Sequence, residues 1–408
     1  MNIPALISEA EQNLTQVFAD IDKTAFANQK KVLEAFQKHR ISDTHFNYAT
    51  GYGYNDKGRD ALDLVWADVF ECEAAFVRSG IASGTHAITI GLFGLLRPGD
   101  IMLSVTGTPY DTLTGAIGLK SGEDIGSLRD FGVIYEQIEL RDNKLDLQSI
   151  AEYLKNNIVK IVFVQKSKGY QDRATLSGYE IGELVKLVKQ INPEIYVVVD
   201  NCYGEFVEEH EPGYYGADMI IGSLIKNPGG GIAESGGYIA GKKKPVELAA
   251  HRLTAPLVGT EVGASLGATK NMFKGLFFAP HVVAQSLKTA ALAAYIYAEL
   301  GCEVSPRYDE ARFDIIQAIK FFDEHKMIKF IQGIQAGSAI DAYALPEPDD
   351  MPGYDNKVIM ASGSFTQGSS IEISADAPVK PPYIAFMQGG LTYESGKFCL
   401  MRALESFI

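Results

Sequence analysis

The chain has 408 residues, 37 basic and 51 acidic side chains, a net charge of −14 and 46% hydrophobic residues. That length suffices for two domains with a sizeable core, and an acidic chain without a long basic run suits neither nucleic acid nor an anionic membrane surface, so small-molecule partners are expected. The four cysteines, Cys72, Cys202, Cys302 and Cys399, show neither Cys-x-x-Cys nor zinc-finger spacing, which points to reduced thiols in the cytoplasm rather than a disulfide framework.

At the N-terminus Ile7, Ala10, Leu14, Val17 and Ile21 recur at helical spacing among polar residues. The pattern predicts an amphipathic helix, not a targeting segment, within an N-terminal helical arm over 1–50. No apolar run reaches membrane-spanning length. Trp66, in "ALDLVWADVF" with Leu62 and Phe70 at helical spacing, is expected in the core. Next comes "VRSGIASGTHAITIGLFGLL", a β-like run, a small-residue turn and an apolar helix from about Thr85. A helix N-terminus behind such a turn can bind phosphate through free backbone N–H groups; the plainer alternative is an ordinary N-cap. His86 is expected as a helix N-terminal histidine, and the seven histidines suggest no metal cluster.

Short β-rich runs at 101–105, 158–165, 195–200, 218–223 and 236–241 alternate with helical patterns. This predicts an α/β fold around a mostly parallel sheet covered on both faces. Ligands of such sheets sit at the carboxyl ends of the strands, and residues with chemical character fall there. Tyr110 follows the run at 101–105 and is placed to stack on a ring, or else is a half-buried tyrosine. Arg173 follows 158–165 and is a candidate for carboxylate or phosphate binding, or for a surface ion pair. Asp200 closes 195–200; alone it would be a loop residue or an N-cap. Ser223 and Lys226 lie in "GSLIKNPGGG", where the lysine could serve as phosphate counter-charge, ion-pair partner or amine nucleophile for a Schiff base. A phosphate cup, a strand-end aspartate and a strand-end lysine are together the parts that hold pyridoxal 5′-phosphate. The aspartate keeps the pyridine nitrogen protonated and the lysine binds the aldehyde. A nicotinamide site is the weakest option, because "SGTHA" lacks the G-x-G-x-x-G turn. The Ala-rich pattern at 281–300 predicts a long helix linking a large domain, 51–290, to a small C-terminal α+β domain, 291–408.

The stretches "GYGYNDKGRDALD", "VRSGIASGTHAI", "VVVDNCYGEF", "GSLIKNPGGGIAESGGYIAG", "RLTAPLVGTEVGASLG" and "QGGLTYE" resemble those of the bacterial methionine γ-lyase-like family. That family is also labelled cystathionine β-lyase-like, aluminium resistance proteins, and belongs to the fold type I pyridoxal-phosphate enzymes of cysteine and methionine metabolism. The resemblance runs from about residue 45 to the C-terminus. It implies an aspartate aminotransferase-like fold and a carbon–sulfur lyase acting by β- or γ-elimination on a cystathionine-, methionine- or cysteine-type substrate. It makes Lys226 the Schiff-base lysine, Asp200 the partner of the pyridine nitrogen, Gly84, Thr85 and Ser223 phosphate binders, and Tyr110 the stacking residue. Tyr110 is also the candidate acid for the departing sulfur. A Tyr-x-Arg pair that reaches the phosphate from the neighbouring subunit corresponds here to Tyr52, Tyr54 and, five residues on, Arg59. The implied assembly is a homodimer as minimum unit, pairing into a homotetramer. The family's substrate-carboxylate arginine has no counterpart in "FTQGSSIEISAD", and Arg307, Arg312 and Arg402 have no distinguishing context. An aminotransferase or aldolase would use the same Lys226 and Asp200, and a cofactor-binding stress-response protein with little turnover is the rival of another class.

Overall fold

The computed structural model describes residues 2–120, 125–351 and 354–407. The N-terminal apolar spacing produces two helices rather than one, α1 (Ile3–Asn13) and α2 (Thr15–Lys38). The helical run is interrupted at Leu14, whose ψ of 2° departs from helix geometry. Asn2 caps α1 by accepting from the Ala5 amide. Ile7, Ala10 and Leu14 join a core shared with the C-terminal sheet, whereas Val32 and Ala35 of α2 join the core of the large sheet. Helix α3 (Lys57–Val69) starts at the Asp56 cap, and its Trp66 stacks on Phe70 at 5.4 Å with both rings fully buried.

The large sheet and its helices follow in chain order. They are β1 (Ala74–Arg78), α4 (Gly84–Leu95), β2 (Ile101–Ser104), α5 (Asp111–Ile117), β3 (Ile134–Gln137), α6 (Leu147–Asn156), β4 (Val159–Gln165), α7 (Gly178–Ile191), β5 (Tyr196–Asp200), β6 (Met219–Ser223) and β7 (Gly237–Gly241). Spatial order is β1-β7-β6-β5-β4-β2-β3. The run from β6 to β3 pairs in parallel, and β7 is antiparallel to both neighbours, so the sheet is mixed. Strand periodicity sends alternate side chains into different cores. Val162, Val164, Val197 and Val199 face α7, while Ile161, Phe163 and Val198 face the α4 side. Between β2 and β4 the strand order reverses, and an open sheet leaves a crevice at such a point.

Helix α8 (Lys243–Leu253) precedes α9 (Thr269–Glu299), which begins well before the Ala-rich pattern and carries Pro280 in its interior. Proline costs one helical hydrogen bond; packing of α9 into both cores outweighs that loss. Residues up to Leu287 pack in the large core and those from Ala291 in the C-terminal one. The remainder is β8 (Glu303–Ser305), β9 (Gln317–Lys320), α10 (Glu324–Gly337), β10 (Val358–Ser362), β11 (Ser374–Pro378), β12 (Ile384–Gln388) and α11 (Tyr393–Phe407). Its strands form a five-stranded sheet, β10-β11-β12-β9-β8, antiparallel throughout. Helices α10 and α11 approach closely at Gly333, where a Cβ would lie 2.4 Å from the Ala403 Cα. Among the described residues no helix is long and apolar enough to cross a membrane.

Candidate active site

A cleft of about 440 Å³ opens at the carboxyl ends of β2, β4, β5 and β6, and Gly84, Thr85, Tyr110, Asp200, Ser223 and Lys226 all line it. Asp200 is the last residue of β5, and its Oδ1 accepts from the Cys202 amide at 3.1 Å. Burial pushes its carboxyl up, while Lys226 and Cys202 pull the other way. Lys226 follows β6 in the turn, with its Nζ 4.0 Å from the centre of the Tyr203 ring. Burial opposes a charged amine there, yet Cys202, Tyr203 and Asp200 around it hold the Lys226 amine well above the ordinary lysine range.

The floor of the cleft has unused hydrogen-bonding capacity. Ser223 Oγ is buried with no hydrogen-bond partner, and a buried hydroxyl is seldom left that way. Ser83 does cap α4, accepting from the His86 amide at 3.1 Å, so the plain N-cap reading holds. It coexists with the phosphate reading, because the first-turn amides of Gly84 and Thr85 have no helical acceptor. A Cβ at Gly84 would sit 3.3 Å from Cys202 Sγ and 3.5 Å from Ser223 Cβ, inside the cup. Tyr110 caps α5, donates its amide to Gln165 Oε1 at 2.9 Å and its hydroxyl to Thr85 Oγ1 at 2.9 Å. Burial keeps that phenol protonated. An orphaned hydroxyl and open amides suit a phosphate, and a strand-end carboxylate beside a lysine suits a pyridine nitrogen and an aldehyde. The residues present therefore fit pyridoxal 5′-phosphate.

Other expected residues lie apart from the cleft. Arg173 directs its guanidinium to the carbonyls of Gln165, Ser167 and Ala174 and to Gln171 Oε1, fixing the turn after β4. Arg59 is 3% exposed, pairs with Asp60 and donates to the carbonyls of Gly51 and Gly53 at 3.3 and 3.4 Å. It thus braces the loop that presents Tyr52 and Tyr54, which are 66% and 72% exposed and do not line the cleft of their own chain. Sequence reasoning missed Tyr203, which holds the lysine from a left-handed φ of 72°. Nothing in "DNCYGEF" announces that conformation.

A two-sheet α/β frame with a lysine and an aspartate at neighbouring strand ends of one cleft defines a class of cofactor-using enzyme folds. The chain belongs to the methionine gamma-lyase family, whose model matches residues 3–408. It is 49% identical over 401 residues to the uncharacterized protein YnbB of Bacillus subtilis (strain 168), covering 98% of this chain and 95% of that one. Among solved structures it is similar to a Clostridium acetobutylicum protein provisionally named a cystathionine beta-lyase involved in aluminium resistance. The TM-score is 0.97 at 48% identity, covering 100% of this chain and 95% of the other. A carbon-sulfur lyase involved in aluminium resistance from Clostridium novyi NT gives a TM-score of 0.96 at 47% identity, with 100% and 96% covered.

Proposed function

We propose that the chain is a pyridoxal 5′-phosphate-dependent carbon–sulfur lyase that releases a thiol from a sulfur amino acid by β- or γ-elimination. The observation that supports it most is the convergence of Lys226, Asp200 and the unpartnered Ser223 hydroxyl on one cleft, in a chain of the methionine gamma-lyase family. When bound, the cofactor supplies an electron sink for the charge left at Cα. The Gly84 and Thr85 amides and the Ser223 hydroxyl would hold its phosphate, and Lys226 its aldehyde carbon. Asp200 would hold the proton on the pyridine nitrogen. The Lys226 Nζ, where it is not engaged with the cofactor, would be the base for the α-proton. Loss of sulfur from Cβ needs that one deprotonation; loss from Cγ needs a second, at Cβ. The Tyr110 phenol is the acid for the departing thiolate. The net reaction consumes one water and breaks the C–S bond, giving a thiol, a 2-oxo acid and ammonia.

The test is to incubate the cofactor-loaded protein with cystathionine, methionine and cysteine derivatives and to measure thiol and 2-oxo acid. Equal release of the two is expected from at least one substrate. Amino-group transfer without thiol would move the chain to the aminotransferases, and aldehyde release to the aldolases. A loaded protein that leaves every substrate intact would be a binding protein.

A further inference from the structure

The turn after β5 carries Tyr203, which lines the cleft with its ring centre 4.0 Å from Lys226 Nζ. Its φ of 72° and the 63° of Phe206, three residues on, are left-handed, a backbone region that costs an aromatic residue free energy and persists only where the surroundings hold it. Two asparagines do so here. Asn227, next to the lysine in the chain, donates from Nδ2 to the Tyr203 and Glu205 carbonyls, each at 3.0 Å. Asn28, on α2, donates in the same way to the Phe206 and Glu208 carbonyls, again at 3.0 Å. Both asparagines are 0% exposed.

A lysine that accepts a proton becomes an ammonium, and an aromatic face beneath it stabilises that charge, more strongly where water is excluded. The other groups that act on the Lys226 amine are Asp200 at the end of β5, Cys202 and Glu205 in the turn after it, and Tyr110 at the start of α5. Burial pushes the Cys202 thiol, the Glu205 carboxyl and the Tyr110 phenol toward their protonated forms. Asp200 has the ring nitrogen to hold. The Tyr203 face is the group left to steady a charge on Nζ.

We propose that Tyr203 is a further catalytic residue, whose ring face steadies Lys226 Nζ as it takes the α-proton, and that Asn28 and Asn227 are the positioning residues that keep it there. This rests on the reading of Lys226 as the base, and not on which bond then breaks. Through Asn28 the N-terminal arm acts on a site that it does not line.

The experiment follows, by visible absorption, the rate at which the full chain freed of cofactor links saturating pyridoxal phosphate, across the pH range in which the amine titrates. Only the neutral amine attacks an aldehyde. Losing the ring face should lower the midpoint in Tyr203→Leu by about one pH unit, so that below the midpoint this variant links the cofactor about 10-fold faster than wild type. Tyr203→Phe keeps the ring and should match wild type, and Asn28→Ala should fall between. Exchange of the alanine α-proton by the loaded protein, measured on its high-pH plateau in deuterated buffer, should run the other way, slower by about 3-fold or more in Tyr203→Leu because the base is weaker. A merely structural role for Tyr203 would slow both steps. Should Tyr203→Leu fail to fold, Tyr203→Met takes its place. Equal midpoints in wild type and Tyr203→Leu, or a Tyr203→Phe that behaves like Tyr203→Leu, overturn the assignment, and a wild-type midpoint in Asn28→Ala removes the arm from it. Alanine has no C–S bond, so the expected shifts in a protein that never releases a thiol would sink the lyase reading and leave Tyr203 its role.

Discussion

Lys226 shares its surroundings with Asp200, a thiol and two phenols, and this is where single substitutions should be most informative. Lys226→Ala should still take up pyridoxal phosphate through the phosphate cup yet lose all turnover. Borohydride should fix the cofactor to Lys226 in wild type and label nothing in the variant; a label on another lysine would refute the assignment. Asn at position 200 cannot carry the charge that stabilises a protonated ring nitrogen, so Asp200→Asn should slow α-proton exchange by about 100-fold or more. Exchange followed by NMR in deuterated buffer at the wild-type rate would mean that another group serves. On β11, burial pushes Asp376 up to about 6, although Tyr170 and Gln388 hydrogen-bond to it. Its carboxyl keeps a proton to higher pH when folded than when unfolded, where such groups titrate near about 3.9. Between about pH 4 and about pH 6 the folded state therefore binds more protons, and stability falls as pH rises through that window. Melting temperatures of wild type should drop relative to Asp376→Asn across it and run parallel above; parallel curves throughout would show that the carboxyl is not perturbed.

At the level of elements, the strands were legible and their surroundings less so. The apolar runs at 158–165, 195–200 and 218–223 fall on β4, β5 and β6 because a strand covered on both faces must be continuously apolar. The antiparallel course of β7 was not legible, since "GGYIAG" has the same composition in either direction. Helix α9 starts at Thr269, upstream of the Ala-rich pattern at 281–300, and runs through Pro280, locally a breaker that tertiary packing overrides. Helix α4 meets the cleft at Gly84. Gly84→Val should fill the phosphate cup and weaken cofactor uptake by about 10-fold or more, read by absorption titration, with little change in melting temperature. Between α10 and α11 the glycine requirement is purely steric. Gly333→Val should destabilise the fold by about 1–3 kcal/mol in urea titration, the usual cost of overpacking, while cofactor uptake is retained.

Over the whole molecule the loop carrying Tyr48, Tyr52 and Tyr54 is tied to the segment after α8 by main-chain bonds. They run from Gly263 to Gly51, Ser265 to Thr50 and Gly267 to Ala49, at 3.0, 2.9 and 3.1 Å. That segment exposes Leu257 at 92% and Leu266 at 64%, beside tyrosines that are 66–73% exposed. An aromatic and aliphatic surface of this kind suits a self-complementary interface. The expected unit is a homodimer that pairs into a homotetramer and in which Tyr52 acts in the partner's cleft. Mixing inactive Lys226→Ala and Tyr52→Ala chains should restore activity, because one site of each mixed dimer receives both intact residues. Mixed dimers without activity, or a fully active monomer in sedimentation, would remove Tyr52 from the site.

By itself the sequence determined the α/β class, the strand ends and the chemistry placed on them, since Asp200, Ser223 and Lys226 are marked by what stands next to them in the chain. The tertiary structure alone decided which side chains are already committed. Arg173 and Arg59 looked like ligand-binding cations and are held by carbonyls of their own loops. Arg312 looked ordinary and is buried with open donors. Tyr203 reaches Lys226 across a turn that only the packing around it stabilises. The reason is physical: residue type and spacing report what a side chain can do, whereas its remaining hydrogen-bonding capacity depends on neighbours far away in sequence, as Lys168 and Ser305 show.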